Sequence, residues 1–191
     1  MKIRNILLLM VVFFLMQIPA VRAQDKAQCR FHVVLDYHFN LGFSENYNGT
    51  PIRRSDGYNM HGNSLRLTAL YDITQRISAG AGIGADRYEE PGYNTFPVFG
   101  TFRYRPLRRF LDTYLYTNLG YGLSNRDNSI YSGWVWDAGV GYIKMFRRHF
   151  GLNFQVGYNL KEFRDVHSDV DGNLSGNSIR HSLSLGIGLV F

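Results

Sequence analysis

The last fourteen residues constrain this chain more than any other stretch, because their side chains alternate with a period of two. Ile179, His181, Leu183, Leu185, Ile187, Leu189 and Phe191 share one face, and all but His181 are apolar. Ser178, Arg180, Ser182, Ser184, Gly186, Gly188 and Val190 share the other, and only Val190 is a large apolar residue. A helix repeats every 3.6 residues and would mix these sets, whereas a strand keeps them apart. The segment after residue 30 repeats the pattern. Phe31, Val33, Leu35, Tyr37, Phe39, Leu41 and Phe43 oppose Arg30, His32, Val34, Asp36, His38, Asn40 and Gly42. Six further alternating segments lie between, at 63–72, 77–88, 95–105, 113–124, 133–144 and 151–162. In segment 95–105, Phe96 and Phe99 fall on different faces, which blurs its alternation. The predicted fold is all-β, an eight-stranded antiparallel up-and-down barrel.

The connections alternate too. Stretches 44–62, 89–94, 125–132 and 163–177 are rich in Asn, Ser, Asp and Gly, while 73–76, 106–112 and 145–150 are shorter on average and basic or Pro-containing. An even strand number puts both termini on the short-turn side. Short periplasmic turns with longer external loops are the pattern of a transmembrane barrel. A secreted lipocalin-like barrel has the same strand count, so the character of each face must separate the two. The polar face here is largely Gly, Ser, Asn and Thr with isolated charges, which suits the inner wall of a narrow barrel better than a water-facing surface rich in Lys and Glu. The apolar face carries almost no charge and is bounded by Tyr, Trp and Phe, as a lipid-facing belt requires. Closure is obligatory there, because lipid cannot satisfy an open strand edge.

Residues 1–23 read as a cleaved signal peptide, leaving 24–191 as a transmembrane β-barrel domain. Lys2 and Arg4 precede the apolar run Ile6–Met16, and Pro19 and Val21-Arg22-Ala23 follow it. The run is too short to cross a bilayer as a helix. Removing Lys2, Arg4 and Arg22, with no acids, lowers the net charge from +6 to +3, so the basic balance gives no ground for nucleic-acid binding. The single Cys, Cys29, excludes an internal disulfide framework and a Cys-based zinc site. It stands well beyond the apolar run, unlike a lipoprotein cysteine. The chain is expected in the cell outer membrane.

Three stretches carry a family resemblance. They are Ile77-Ser78-Ala79-Gly80-Ala81-Gly82-Ile83-Gly84, then Phe96-Pro97-Val98-Phe99-Gly100 through Arg103-Tyr104, and Asn118-Leu119-Gly120-Tyr121-Gly122. The chain resembles the bacterial outer-membrane β-barrel domain family common in Bacteroidota. Its architecture is similar to outer-membrane protein X and to the outer-membrane protein A barrel. The terminal run with Leu185, Ile187, Leu189 and Phe191 looks like the C-terminal signal read by the barrel-assembly machinery. The resemblance covers the whole mature chain and implies a fold, but it brings no shared catalytic signature. No peptidoglycan-binding domain follows Phe191, so a cell-wall anchoring role is not expected.

The polar face carries Arg30, His32, Asp36, His38, Arg66, Asp86, Arg103, Asp137, Lys161 and Arg180. Both signs are present, which suits a packed lumen network centred on Asp36, His38, Arg66, Asp86, Arg103, Asp137 and Arg180. A water-filled lining of a narrow passive channel is the alternative. Arg180-His181-Ser182-Leu183-Ser184 invites comparison with lipid A-modifying barrels, but alternation puts His181 on the lipid side and both serines inside, so no base meets a nucleophile. Asp169-Val170-Asp171-Gly172-Asn173 lacks the twelfth-position acid of an EF-hand loop, because Ser178 stands there. No catalytic residue, cofactor or metal is expected. The expected function is a rigid, non-enzymatic anchor whose loops meet the exterior. Tyr47, Arg53, Arg54 and Tyr58 are the candidate contacts to lipopolysaccharide phosphates or to an extracellular or envelope protein.

Overall fold

A computed structural model describes residues 30–89, 92–107, 112–124, 130–147, 150–167 and 175–191. Nine strands follow one another: β1 (Phe31–Tyr47), β2 (Thr50–Arg53), β3 (His61–Asp72), β4 (Ile77–Glu89), β5 (Tyr93–Tyr104), β6 (Thr113–Leu123), β7 (Gly133–Arg147), β8 (Phe150–His167) and β9 (Ser175–Val190). Eight are staves of an antiparallel barrel, each pairing with its neighbour in chain order, and β2 is a short addition to β1. The barrel closes where β1 meets β9, from Val34↔Val190 to Tyr47↔Ser178. Phe191 extends that seam through two backbone bonds with Val33, of 2.8 and 3.0 Å. Closure leaves no edge inside the hydrocarbon layer. Both termini of the described barrel lie on the side of the short turns.

The period of two decides what faces where. Leu65, Leu67 and Tyr71 of β3 are exposed, while Ser64, Arg66 and Thr68 are buried. Leu183, Leu185 and Ile187 of β9 point out, and Ser182 and Ser184 point in. Large apolar side chains therefore cover the outside and polar ones fill the inside, the inverse of a soluble fold. Trp134, Trp136, Phe43 and Phe96 bound the outer belt at one end, and Phe31, Tyr71, Tyr142, Phe150 and Phe191 bound it at the other. Such a surface is stable only against lipid. The chain is a transmembrane β-barrel.

Glycines on the inner face make room for rings. A Cβ at Gly82 or Gly120 would collide with the Phe99 side chain, and one at Gly141 with the Tyr114 ring. Phe99 thus points into the lumen while Phe96 points out, which explains the mixed pattern of β5.

Two expected loops are shorter than the sequence suggests. Stretch 44–62 begins with strand, since β1 runs to Tyr47 and β2 folds back on it. Stretch 163–177 is bounded by strand that continues to His167 and resumes at Ser175. Bulges explain both differences. The register of β1 against β9 shifts between Gly42 and Ser44, and that of β8 against β9 between Phe163 and Val166. Each extra residue reverses the alternation, so the segment beyond it no longer matches the pattern before it. The signal segment, Cys29 and the Asp169–Asn173 stretch lie outside the described residues.

Candidate functional site: a polar lumen beneath a strand hairpin

The lumen is built in layers. At the short-turn rim, His32 meets Asp72 at 3.2 Å, and Ser78 donates to Asp72 at 2.5 Å. Arg105 lies 3.6 Å from the same carboxylate. Above them Val34, Leu70 and Val190 form an apolar plug with Ile143 packed on it. The next layer holds Asp36, which accepts from Asn153 at 2.7 Å and lies 3.9 Å from Arg103. Tyr114 donates to Asn153 at 2.5 Å, Gln155 donates to Tyr114 at 2.8 Å, and the Arg103 guanidinium sits 4.7 Å from the Tyr114 ring centre.

The middle layer is the densest. Arg66 is paired with Asp137 and lies 3.7 Å from Asp86. Lys161 meets Asp86 at 3.2 Å, Asn159 donates to Asp137, and Tyr88 donates to Asn159 at 3.1 Å. Arg66 also stacks over Phe99 at 5.3 Å. Higher still, Arg180 is paired with Glu45 at 2.6 Å and donates to the Glu89 carbonyl at 3.0 Å. An aromatic cap lies toward the upper mouth: Tyr88, Tyr93, Phe163 and Val166 are buried together, with Tyr47 and Tyr131 against them.

All seven residues of the expected lumen network are buried, and all but His38 fall in these layers. Sequence reasoning missed Glu45, because the β1 bulge turns an odd-numbered residue inward after a run of even-numbered ones. It also missed the aromatic cap, whose members alternate with polar residues and resemble loop or girdle positions. The buried charges balance: Arg66, Arg103, Lys161 and Arg180 face Asp36, Glu45, Asp86 and Asp137. A buried charge left unpaired is costly, and equal numbers of both signs allow each to find a partner.

His38 touches Ser184 at 3.2 Å. Among the described residues no carboxylate is hydrogen-bonded to His38, and the pair sits between the plug and the cap. His181 faces outward, where its Nδ1 meets the Tyr158 hydroxyl. The two serines near it in sequence point the other way. The described residues include no group of three His, Cys, Asp or Glu side chains placed to hold a metal.

Above the barrel, Asn48 and Gly49 turn β1 into β2 with φ of 48° and 90°. Positive φ at both positions is the Asn-Gly hairpin turn, which pairs Tyr47 with Thr50. Antiparallel alternation then turns the Pro51 nitrogen away from β1. Proline has no N–H to offer there. The next outward N–H, on Arg53, is taken by Asp56 at 3.0 Å. The free edge of β2 is thereby blunted against strand addition. The four expected loop residues diverge in their surroundings. Tyr47 leans on the cap and donates to the Val166 carbonyl at 3.5 Å, and Arg54 donates to the Met60 carbonyl at 2.8 Å. Arg53 and Tyr58 are exposed.

No family model matches the chain, and no curated protein matches it. Solved structures similar to it are membrane barrels. A de novo designed transmembrane β-barrel is 14% identical, with 88% of this chain and 100% of that one covered and a TM-score of 0.40. OprG of Pseudomonas aeruginosa is 11% identical over 86% of this chain and 97% of its own, with a TM-score of 0.40. Ail of Yersinia pestis, solved with the heparin analogue sucrose octasulfate, is 13% identical over 85% of this chain and 99% of its own, with a TM-score of 0.44.

Proposed function

We propose that this chain is a non-enzymatic outer-membrane protein whose barrel is a solid anchor and whose extracellular hairpin and loops make its contacts. The observation that carries this reading is the lumen, whose described buried cations and anions balance in number and lie between two apolar clusters. A narrow passive channel needs a continuous water path, and the Val34–Leu70–Val190 and Tyr88–Tyr93–Phe163 clusters put apolar side chains along it, which favours the anchor. A lipid A-modifying enzyme needs a base beside a nucleophile on the lipid face, and His181 has Tyr158 there instead of a serine.

Residues 1–23 are taken as the export signal, and Leu185, Ile187, Leu189 and Phe191 as the strand read by the barrel-assembly machinery. Membership in the Bacteroidota-type small-barrel family, with a barrel like those of outer-membrane proteins X and A, rests on the glycine-rich strand motifs of β4 to β6. Arg53 and Tyr58 are the foremost contact residues, because both are exposed on the β2 hairpin and its turn. A blunted edge directs such contact to side chains, toward phosphate- or sulfate-bearing glycans or a protein surface, rather than to backbone pairing.

Single cysteines in a Cys29→Ser background test the orientation. A cysteine at Ser55 should react with a membrane-impermeant maleimide on intact cells. One at Gln75 should react only after the outer membrane is permeabilised. The reverse pattern would invert the barrel and remove the hairpin from the cell surface.

A further inference from the structure

A groove of about 270 Å³ lies on the outer wall of the barrel, where β1, β3, β4 and β5 run side by side. Its floor is one register row, in which Tyr37 pairs with Leu65 and Leu65 with Ala85, and Phe96 forms the far wall. Ala85 supplies only a methyl group between larger neighbours, so the row dips there. The next row toward the exterior is polar: Asn63 pairs with Arg87, and Arg87 with Asn94. The groove therefore straddles the boundary between the apolar belt and the extracellular water. It also lies at a break in the sheet. The β4–β5 ladder stops after Ile83↔Val98 and resumes at Asp86↔Thr95, and Pro97, which has no N–H, stands in the gap.

We propose that this groove holds one phosphorylated lipid of the extracellular leaflet, with an acyl chain over Ala85 and a phosphate at Arg87. The proposal rests on the outer-membrane reading above and names a partner for the barrel wall. The occupant must be an amphiphile, because the floor continues into the lipid-facing rows of Leu67 and Ile83 while the roof is polar. The roof offers donors. Arg87 is largely exposed, and it donates Nε to Glu89 at 2.8 Å, which leaves its Nη groups for a second acceptor. Asn63 accepts from the Tyr37 hydroxyl at 2.6 Å, so its amide nitrogen remains a donor. A phosphate presents acceptor oxygens alone and matches a guanidinium fork flanked by two carboxamides.

Native mass spectrometry of the folded protein in mild detergent tests this, with bisphosphorylated lipid A and its dephosphorylated counterpart as probes. One adduct of the phosphorylated lipid is expected. Dephosphorylated lipid, Arg87→Ser and Ala85→Trp should each weaken binding about tenfold or more, as loss of a charge-assisted contact or of the chain's space requires. Val156→Trp, on the opposite wall, should change nothing. Ala85→Leu serves if the Trp variant loses its heat-modifiable gel shift. Equal binding of both lipids, or full binding by the filled groove, would overturn the proposal. A wild-type barrel that folds but takes no lipid would overturn it alone. A wild-type chain that never gains a heat-modifiable form in lipid would overturn the membrane reading beneath it.

Discussion

Asp137 shows what a single carboxylate does in a packed barrel. It accepts from Arg66, Asn159 and Asn118, and Arg66 in turn reaches Asp86, which also holds Lys161. Removing it leaves the buried guanidinium with Asp86 alone, 3.7 Å away and already shared with Lys161. Asp137→Ala should therefore cost about 3–5 kcal/mol, the usual penalty for breaking one side of a buried pair. The double change Arg66→Met with Asp137→Leu removes both charges and should recover most of that loss. Urea titration of the heat-modifiable form in detergent or lipid measures both. Equal destabilisation by the single and double variants would mean that the charges do not act as a unit. Ser184→Ala is milder: it removes one contact to His38 and should cost about 1 kcal/mol.

At the scale of the element, β2 carries a prediction that its neighbours do not. Pro51 and the Asp56 carboxylate together silence its outward edge. Pro51→Val with Asp56→Ala would present two free N–H groups and should promote edge-to-edge dimers at the extracellular end. Size-exclusion chromatography with light scattering would detect them, and a monomeric double variant would show that the edge was never a hazard. In β9, Leu185→Arg sets a charge on the lipid face and should cost about 2–4 kcal/mol if it lies near the bilayer midplane. Deleting Phe191 removes its two backbone bonds to Val33 and its ring beside Phe150. The deletion should slow assembly, read as a loss of protease-resistant barrel in outer-membrane fractions. Removing residues 45–61 would take away Glu45 and its pairing to Arg180, so a harmless loop deletion must begin beyond Gly49 and spare Met60, whose carbonyl binds Gly42.

The strands of the barrel were legible because lipid outside and packing inside enforce the period of two without interruption. Arg66, Asp86 and Asp137 could be placed inside from that period alone. Glu45 and Val166 could not, since a bulge leaves no mark in composition and reverses the parity beyond it. Pairing was also hidden. Alternation puts Arg180 in the lumen but cannot say that Glu45, some 135 residues away, is its partner. The aromatic cap was obscured for a different reason: Tyr88 and Phe163 sit on the polar face, where an apolar residue looks like an error in the pattern.

For the whole molecule, the contrast that matters is between a filled barrel and a conducting one. Among the described residues four buried cations face four buried anions, and apolar clusters lie above and below them. Water-filled lumens need neither feature. Planar-bilayer recording on purified, folded protein bears on this most directly. The proposed solid anchor predicts that insertion, verified by heat modifiability and protease resistance in the same lipid, is followed by no steady conductance at any holding potential. Stable ohmic steps from the wild-type protein, with an ion selectivity that changes in Asp137→Asn, would contradict it and make the barrel a channel.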